Sequence, residues 1–401
     1  MKHQYETSLF IFRRDLRLED NRGLIKALKS SNTVIPCFIV TPEQTGSKNS
    51  YRGKPSLQFM VQSLVDLDSS LSQYGARLHI FHGEPKAVLE SLLSNHPISA
   101  VFINRDYTPY STERDTVLAQ LCTAHQVPFI IEHDALLHEP EESSTSQGKP
   151  YQIFTPFFRK NSLFVVKEAV SNHYINYLQG ETLQLFREES LSLEALHSLL
   201  IPVPVALRVH GGRTSSLQLL GALKNFRDYA ATRDFPEHDT TLLSASLKFG
   251  TLSIREVYHA ITVTLGAGHP LIRQLFWRDF FYSVAFFYPS VFGHAFHRQY
   301  DTIAWNTDYA AFSRWCEGTT GFPIVDAGMR QLMASGFMHN RARLITGSFL
   351  VKDLHCDWRL GERYFAQHLT DYDPCINNGN WQWVASTGCD NQPYFRIFNP
   401  W

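Results

Sequence analysis

Five short apolar runs recur through the first 137 residues at intervals too long for hairpins. They are Ser8–Phe12, Val34–Val40, Arg77–Phe81, Ala100–Ile103 and Val127–Ile131, rich in Val, Ile and Phe. Amphipathic stretches separate them, among them Ser56–Tyr74, Pro85–Asn95 and Thr112–His125. Runs this apolar belong to strands buried on both faces, and connections this long cross over as helices. Together they predict an α/β domain, a doubly wound parallel sheet of Rossmann-like type. Its first strand-to-helix turn reads Phe12-Arg13-Arg14-Asp15 and lacks G-x-G-x-x-G, so no standard dinucleotide site is expected there.

The pattern changes after residue 137. Glu139-Pro140-Glu141-Glu142-Ser143-Ser144-Thr145-Ser146-Gln147-Gly148 reads as the start of a linker. Residues 150–215 are mixed, broken by Pro202, Pro204 and Gly211-Gly212. From about 216 the pattern is helical. The expected division is an α/β domain over 1–137, a connecting segment over 138–215 and an all-α domain over 216–401. All seven tryptophans lie from 277 onward, and 13 of the 16 basic residues after 215 are Arg. Arginine among aromatics suits phosphate binding and stacking. A formal net charge of −1 excludes holding nucleic acid by bulk charge alone. Six scattered cysteines without a C-x-x-C pair argue against a disulfide framework or a zinc site. No signal peptide and no long apolar span is seen, so a cytoplasmic protein without membrane contact is expected.

Four segments are too polar for their apolar setting. Tyr229-Ala-Ala-Thr-Arg-Asp-Phe-Pro leads into Asp239-Thr240-Thr241-Leu242-Leu243-Ser244, where hydroxyls and N–H groups at a helix start make a phosphate cradle or a plain Thr/Ser cap. Gln274, Trp277 and Arg278 fall on one helical face, as a site for a flat ring or as a core stripe with an Arg–Asp pair. The other two segments are Gly336–Leu344 and Asp371-Tyr-Asp-Pro-Cys-Ile-Asn-Asn-Gly-Asn-Trp-Gln-Trp383. Asp371 and Asp373 could be a metal pair, but no third ligand stands at a recognisable spacing. His294 and His297 have the spacing of one helical face and no partner, which favours a structural role. Hydrolase, zincin and P-loop motifs are missing.

Phe12-Arg-Arg-Asp-Leu-Arg-Leu-Glu-Asp-Asn21, Trp277-Arg278-Asp279-Phe280, Met338-His339-Asn340-Arg341, Asn377-Asn378-Gly379-Asn380-Trp381-Gln382-Trp383 and Pro393–Pro400 together resemble the photolyase/cryptochrome family. The resemblance covers the whole chain and is nearest to the microbial class I cyclobutane pyrimidine dimer photolyases. It implies light-driven DNA repair, in which excited reduced FAD passes an electron to a flipped-out dimer and recovers it after the ring splits. A cryptochrome-type receptor that binds FAD without repair is the alternative.

On the matching positions, the resemblance implies that Tyr229, Thr240, Thr241, Leu242, Leu243, Ser244, Arg278, Asn340, Asp371, Tyr372 and Asp373 hold FAD. Arg343 would pair with Asp371, and Asn377 would face the flavin N5. Trp381, Trp358 and Trp305 match an electron relay. Trp277 and Trp383 would stack on the lesion. Gln274, Asn340 and Leu344 would line its slot, with Arg233 and Arg341 near phosphates. An antenna chromophore of folate or deazaflavin type is implied for the α/β domain, although folate positions are not evident in Asn104-Arg-Asp-Tyr-Thr-Pro-Tyr110. The partner is damaged DNA, the protein a monomer, and no metal is expected.

Two positions depart from the class I pattern. Position 274 is Gln where Glu is usual, and 344 is Leu where Met is common. Gln274 is similar to the (6-4) photolyases, but those have histidines where this chain has Asn340 and Leu344. The family also continues past the position of Trp401, so a C-terminal truncation is expected.

Overall fold

In the computed structural model, residues 3–145, 147–179, 186, 190–390 and 396–401 are described. Five parallel strands, β1 (Tyr5–Phe12), β2 (Ser31–Val40), β3 (His79–His82), β4 (Ala100–Asn104) and β5 (Phe129–Glu132), form one sheet in the order β3-β2-β1-β4-β5. Leu9 sits opposite Ile35 and Ile11 opposite Cys37, and the central strands are buried on both faces. Each apolar run predicted as a strand is one. The crossovers are α1 (Arg22–Ser30), α2 (Pro42–Thr45), α3 (Lys54–Ser72), α4 (Pro85–Asn95) and α5 (Pro109–Ala124). Two short helices, α6 (Phe154–Asn161) and α7 (Leu193–Leu200), connect this layer to the helical half.

That half comprises α8 (Arg213–Gly221), α9 (Tyr229–Thr232), α10 (Ser244–Phe249), α11 (Ile254–Leu265), α12 (Pro270–Phe287) and α13 (Tyr309–Glu317). It continues through α14 (Pro323–Ser335), α15 (Asn340–Ser348), α16 (Trp358–His368) and α17 (Pro374–Ala385). Helix α12 buries Leu271, Leu275, Phe276, Phe280 and Val284 at its centre. Gly379 lets α17 approach it, because a Cβ there would overlap the Phe281 ring.

Four buried charges bind the two halves. Arg17 donates to Asp134 at 2.6 Å, and Arg255 of α11 donates to Asp134 at 2.7 Å and to Asp20 at 2.9 Å. All four side chains are 2% exposed. Such a cluster is tolerated only when its charges are mutually paired, and removing one member strands the rest. Asp279 adds a second tie by accepting the Leu137 N–H at 2.7 Å.

His294 and His297 correct the sequence reading. Gly293 has a φ of 80°, and the two histidines lie in a turn before a short 3-10 helix. His294 Nδ1 is 3.3 Å from Asp301, which is the structural role expected, reached without a helix. No described helix is long and apolar enough to cross a membrane.

Candidate functional site

Arg13 and Arg14 fill the turn where a dinucleotide fold carries glycines. Arg13 donates to Asp115 at 2.6 Å, while Asn104 donates to Asp15 at 2.5 Å and to Asn21 at 2.7 Å. The crevice between β1 and β4, where doubly wound sheets usually bind ligands, is thereby lined by a hydrogen-bonded polar network. Arg14 reaches into the helical half and pairs with Asp373.

Asp373 has no free acceptor. Its Oδ1 caps α17 by accepting the N–H groups of Cys375 (3.0 Å) and Ile376 (3.2 Å), while Oδ2 accepts from Arg14 and Tyr282. A carboxylate has about four lone-pair sites, and all are taken. Burial alone would raise its pKa, but Arg14 and Lys248 outweigh that and lower it. Asp373 thus ties the start of α17 to Arg14 and Tyr282.

Asp371, two residues earlier, is different. Oδ2 accepts from Arg343 at 3.0 Å, as the resemblance implies, while the buried Oδ1 has no partner among the described residues. Arginines pair with both carboxylates, Arg343 with Asp371 and Arg14 with Asp373. Asn377 Nδ2 donates to the backbone carbonyl of Glu362 at 3.1 Å, which aims its amide oxygen the opposite way. Asn378 donates to Glu362 Oε1 at 3.1 Å, and burial pushes the Glu362 carboxyl up to about 7.

The segment before α10 lacks a side-chain cap. The N-cap is Leu243, and Leu242 has a φ of 56°. The plain Thr/Ser cap reading is therefore excluded, and the hydroxyls of Thr240, Thr241 and Ser244 stay uncommitted to capping. Tyr229 packs nearby on the apolar cluster that contains Leu243 and that Trp277 borders. Arg278 donates to the Ala135 carbonyl at 2.7 Å and to Asp279 at 3.1 Å, and lies 4.7 Å over the Tyr282 ring. The Arg–Asp pair of the core-stripe reading is present, and Trp277 beside it is half-buried.

Trp277 stacks on Phe154 at 3.6 Å and 7°, so one indole face is covered. Trp277 and Trp383 sit one turn from the Phe281–Gly379 crossing, on α12 and α17 respectively. They make no ring contact with each other among the described residues. Gln274 and Leu344 are half-buried and Asn340 exposed, as first residue of α15. Arg341 approaches Phe398 at 5.9 Å, and Arg396 lies 4.9 Å from Phe398 and 5.4 Å over Trp383. Residues 393–395 of the Pro393–Pro400 motif lie outside the described residues.

The three relay tryptophans share one core. Trp381 is 4% exposed, and its indole occupies the space that a Cβ on Gly361 would fill. Trp358 is fully buried one turn earlier on α16. Half-buried Trp305 precedes Asn306, whose N–H donates to His355 at 2.8 Å, three residues before Trp358. Sequence reading missed Trp315, fully buried 6.2 Å from Trp381, because no motif contains it.

A cavity of about 650 Å³ opens where the ends of β1 and β2 meet the helical half. Ile11, Phe38 and Tyr110 wall one side, and Glu362 and Tyr372 the other. Tyr372 stacks on Tyr51 at 6.2 Å and lines this cavity. Asp106, Thr108, Pro109 and Tyr110 also line it, although their sequence showed no binding pattern.

A five-stranded parallel sheet is thus joined by buried charges to a mostly helical half whose core groups Trp305, Trp358 and Trp381. Residues 8–170 match the family described as DNA photolyase, and residues 271–401 match the FAD binding domain of DNA photolyase. The chain belongs to the DNA photolyase family. It is 36% identical to the deoxyribodipyrimidine photo-lyase of Halobacterium salinarum, across 98% of this chain and 85% of that one. An archaeal photolyase from Sulfolobus tokodaii, solved with two FAD molecules, superposes with a TM-score of 0.88 at 40% identity, covering 98% of this chain and 86% of that one. A Synechocystis cryptochrome superposes at 0.87 with 29% identity, covering 100% and 86%.

Proposed function

We propose that this chain is a light-dependent DNA-repair lyase that splits cyclobutane pyrimidine dimers. The observation that carries the reading is the grouping of Trp381, Trp358 and half-buried Trp305 in one core, with Asn377 one turn before Trp381 on α17. FAD, when bound in its reduced form, supplies the electron that light drives into the dimer. The residues present fit that cofactor. The unpartnered Asp371 oxygen matches a ring N–H, Asn377 presents its carbonyl oxygen, and the Thr240–Ser244 cradle suits a diphosphate. Tyr229, Arg278 and Asn340 complete the set, with Asp373 and Tyr372 supporting its wall from behind.

Trp277 and Trp383 are the stacking surfaces for a flipped lesion, and damage that weakens stacking lowers the flipping cost of a few kcal/mol. Gln274 and Leu344 border that slot, while Arg233 and Arg341 hold phosphates. Gln274 donates a hydrogen bond to the lesion but has no proton to give. The divisions 1–137, 138–215 and 216–401 remain our assignment of antenna, connecting and FAD-binding parts. The 650 Å³ cavity, within the usual range for small-ligand sites, is the place for a flat antenna chromophore.

An absorption spectrum of the purified protein, followed by lit and dark assays on thymine-dimer DNA, tests the reading. Repair only in the light, with flavin bands present, is expected. Flavin without repair points to the receptor alternative, and a colourless protein defeats both.

A further inference from the structure

The two arginines assigned to DNA phosphates already face one carboxylate. Arg341 Nη2 is bonded to Asp234 Oδ1, and Arg233 Nε lies 3.7 Å from the same oxygen. Asp234 is half exposed, just beyond α9, at the edge of the surface that continues through Arg341 and Phe398 to Arg396 and Trp383. One carboxylate therefore offsets one of the two guanidinium charges at this edge.

We propose that Asp234 occupies, in the free protein, the position a DNA phosphate takes on Arg341, and so limits sequence-independent binding. The inference rests on the reading of Arg341 as a phosphate ligand. A carboxylate and a phosphate oxygen ask for the same donors in the same geometry. An exposed ion pair holds with only about 0–1 kcal/mol, so a phosphate displaces it. The displaced carboxylate stays close by and repels the phosphate that replaced it. An arginine already neutralised also offsets less DNA charge, so wild-type binding should fall less steeply with salt.

The test is titration of undamaged duplex, across a salt series, against flavin-loaded wild type, Asp234→Asn, Asp234→Ser and Arg341→Ala. Asp234→Asn should bind about three- to tenfold tighter at low salt, and its slope of log K against log salt should steepen by about 0.9. Asp234→Ser should behave alike, and it answers the question if the Asn variant fails to fold. A change in salt slope separates charge competition from a structural effect. Unchanged or weaker binding by the Asp234 variants, with Arg341→Ala weakening it, overturns the inference. Unchanged binding by Arg341→Ala would instead overturn the phosphate reading beneath it.

Discussion

Arg14, at the end of the first strand, is ion-paired with Asp373, which caps α17 after a separation of 359 residues. The side chain of Asp373 is 2% exposed and that of Arg14 18%. One buried pair thus ties the sheet to the helix that carries Asn377, Trp381 and Trp383.

Arg14→Met should destabilise the protein by about 3–5 kcal/mol, because it leaves a buried carboxylate short of its main partner. Denaturant unfolding measures this. Adding Asp373→Asn should recover part of the loss, since Asn still caps a helix without a charge. A loss below about 1 kcal/mol for the single variant would show that the pair is not the tie.

Gly361→Ala should displace the Trp381 indole, which lies where the new methyl group would go. Overpacking of this kind costs about 1–3 kcal/mol. Light-driven reduction of bound oxidised flavin should slow, as it should more completely in Trp381→Phe, while repair by chemically reduced enzyme stays near wild type. Transient absorption and a repair assay read the two separately. Equal loss of both activities would make Trp381 a structural residue only.

Trp277→Ala should weaken dimer-containing DNA by about 1–3 kcal/mol, the loss of one stacked base, and leave undamaged duplex nearly unchanged. Phe154 already covers one indole face and Phe281 also stacks on the ring, so the lesion has only the remaining exposed part to stack on. Paired gel titrations at one salt concentration decide it, and equal weakening of both DNAs would assign Trp277 to the fold.

Burial raises the Glu362 carboxyl from 4.5 to about 7, with Asn378 and Tyr51 opposing the shift. The folded state therefore binds this proton more tightly than the unfolded chain. Stability declines as pH rises from about 4.5 through about 7, by at most about 3 kcal/mol from this group. Asp279, also pushed up to about 7 by burial, adds to the same slope. Glu362→Gln should flatten part of the decline, gaining on wild type at pH 8 relative to pH 5. Parallel melting curves for the two proteins across that range would rule the account out.

The sheet was readable from the chain because buried parallel strands must be apolar throughout, so Leu9–Phe12, Val34–Val40 and Ala100–Ile103 declare themselves by composition alone. Helix α1 was not singled out, since nine residues after Asn21 give too few turns for a clear period. The Arg343–Asp371 pair and the set Trp305, Trp358 and Trp381 came from matching positions of the family resemblance, and the structure places the pair in contact and the three indoles in one core. What only the tertiary structure decided is where each polar atom is spent. Asp371 and Asp373 look alike in sequence, yet one keeps a free acceptor and the other has none, because Arg14 and Tyr282 arrive from distant parts of the chain. Tyr372 turns to the cavity for the same reason, and Asp234 meets Arg341 across 107 residues. Periodicity is a local property and can be read along the chain, whereas hydrogen-bond saturation depends on which remote donor comes within about 3 Å, and only folding determines that.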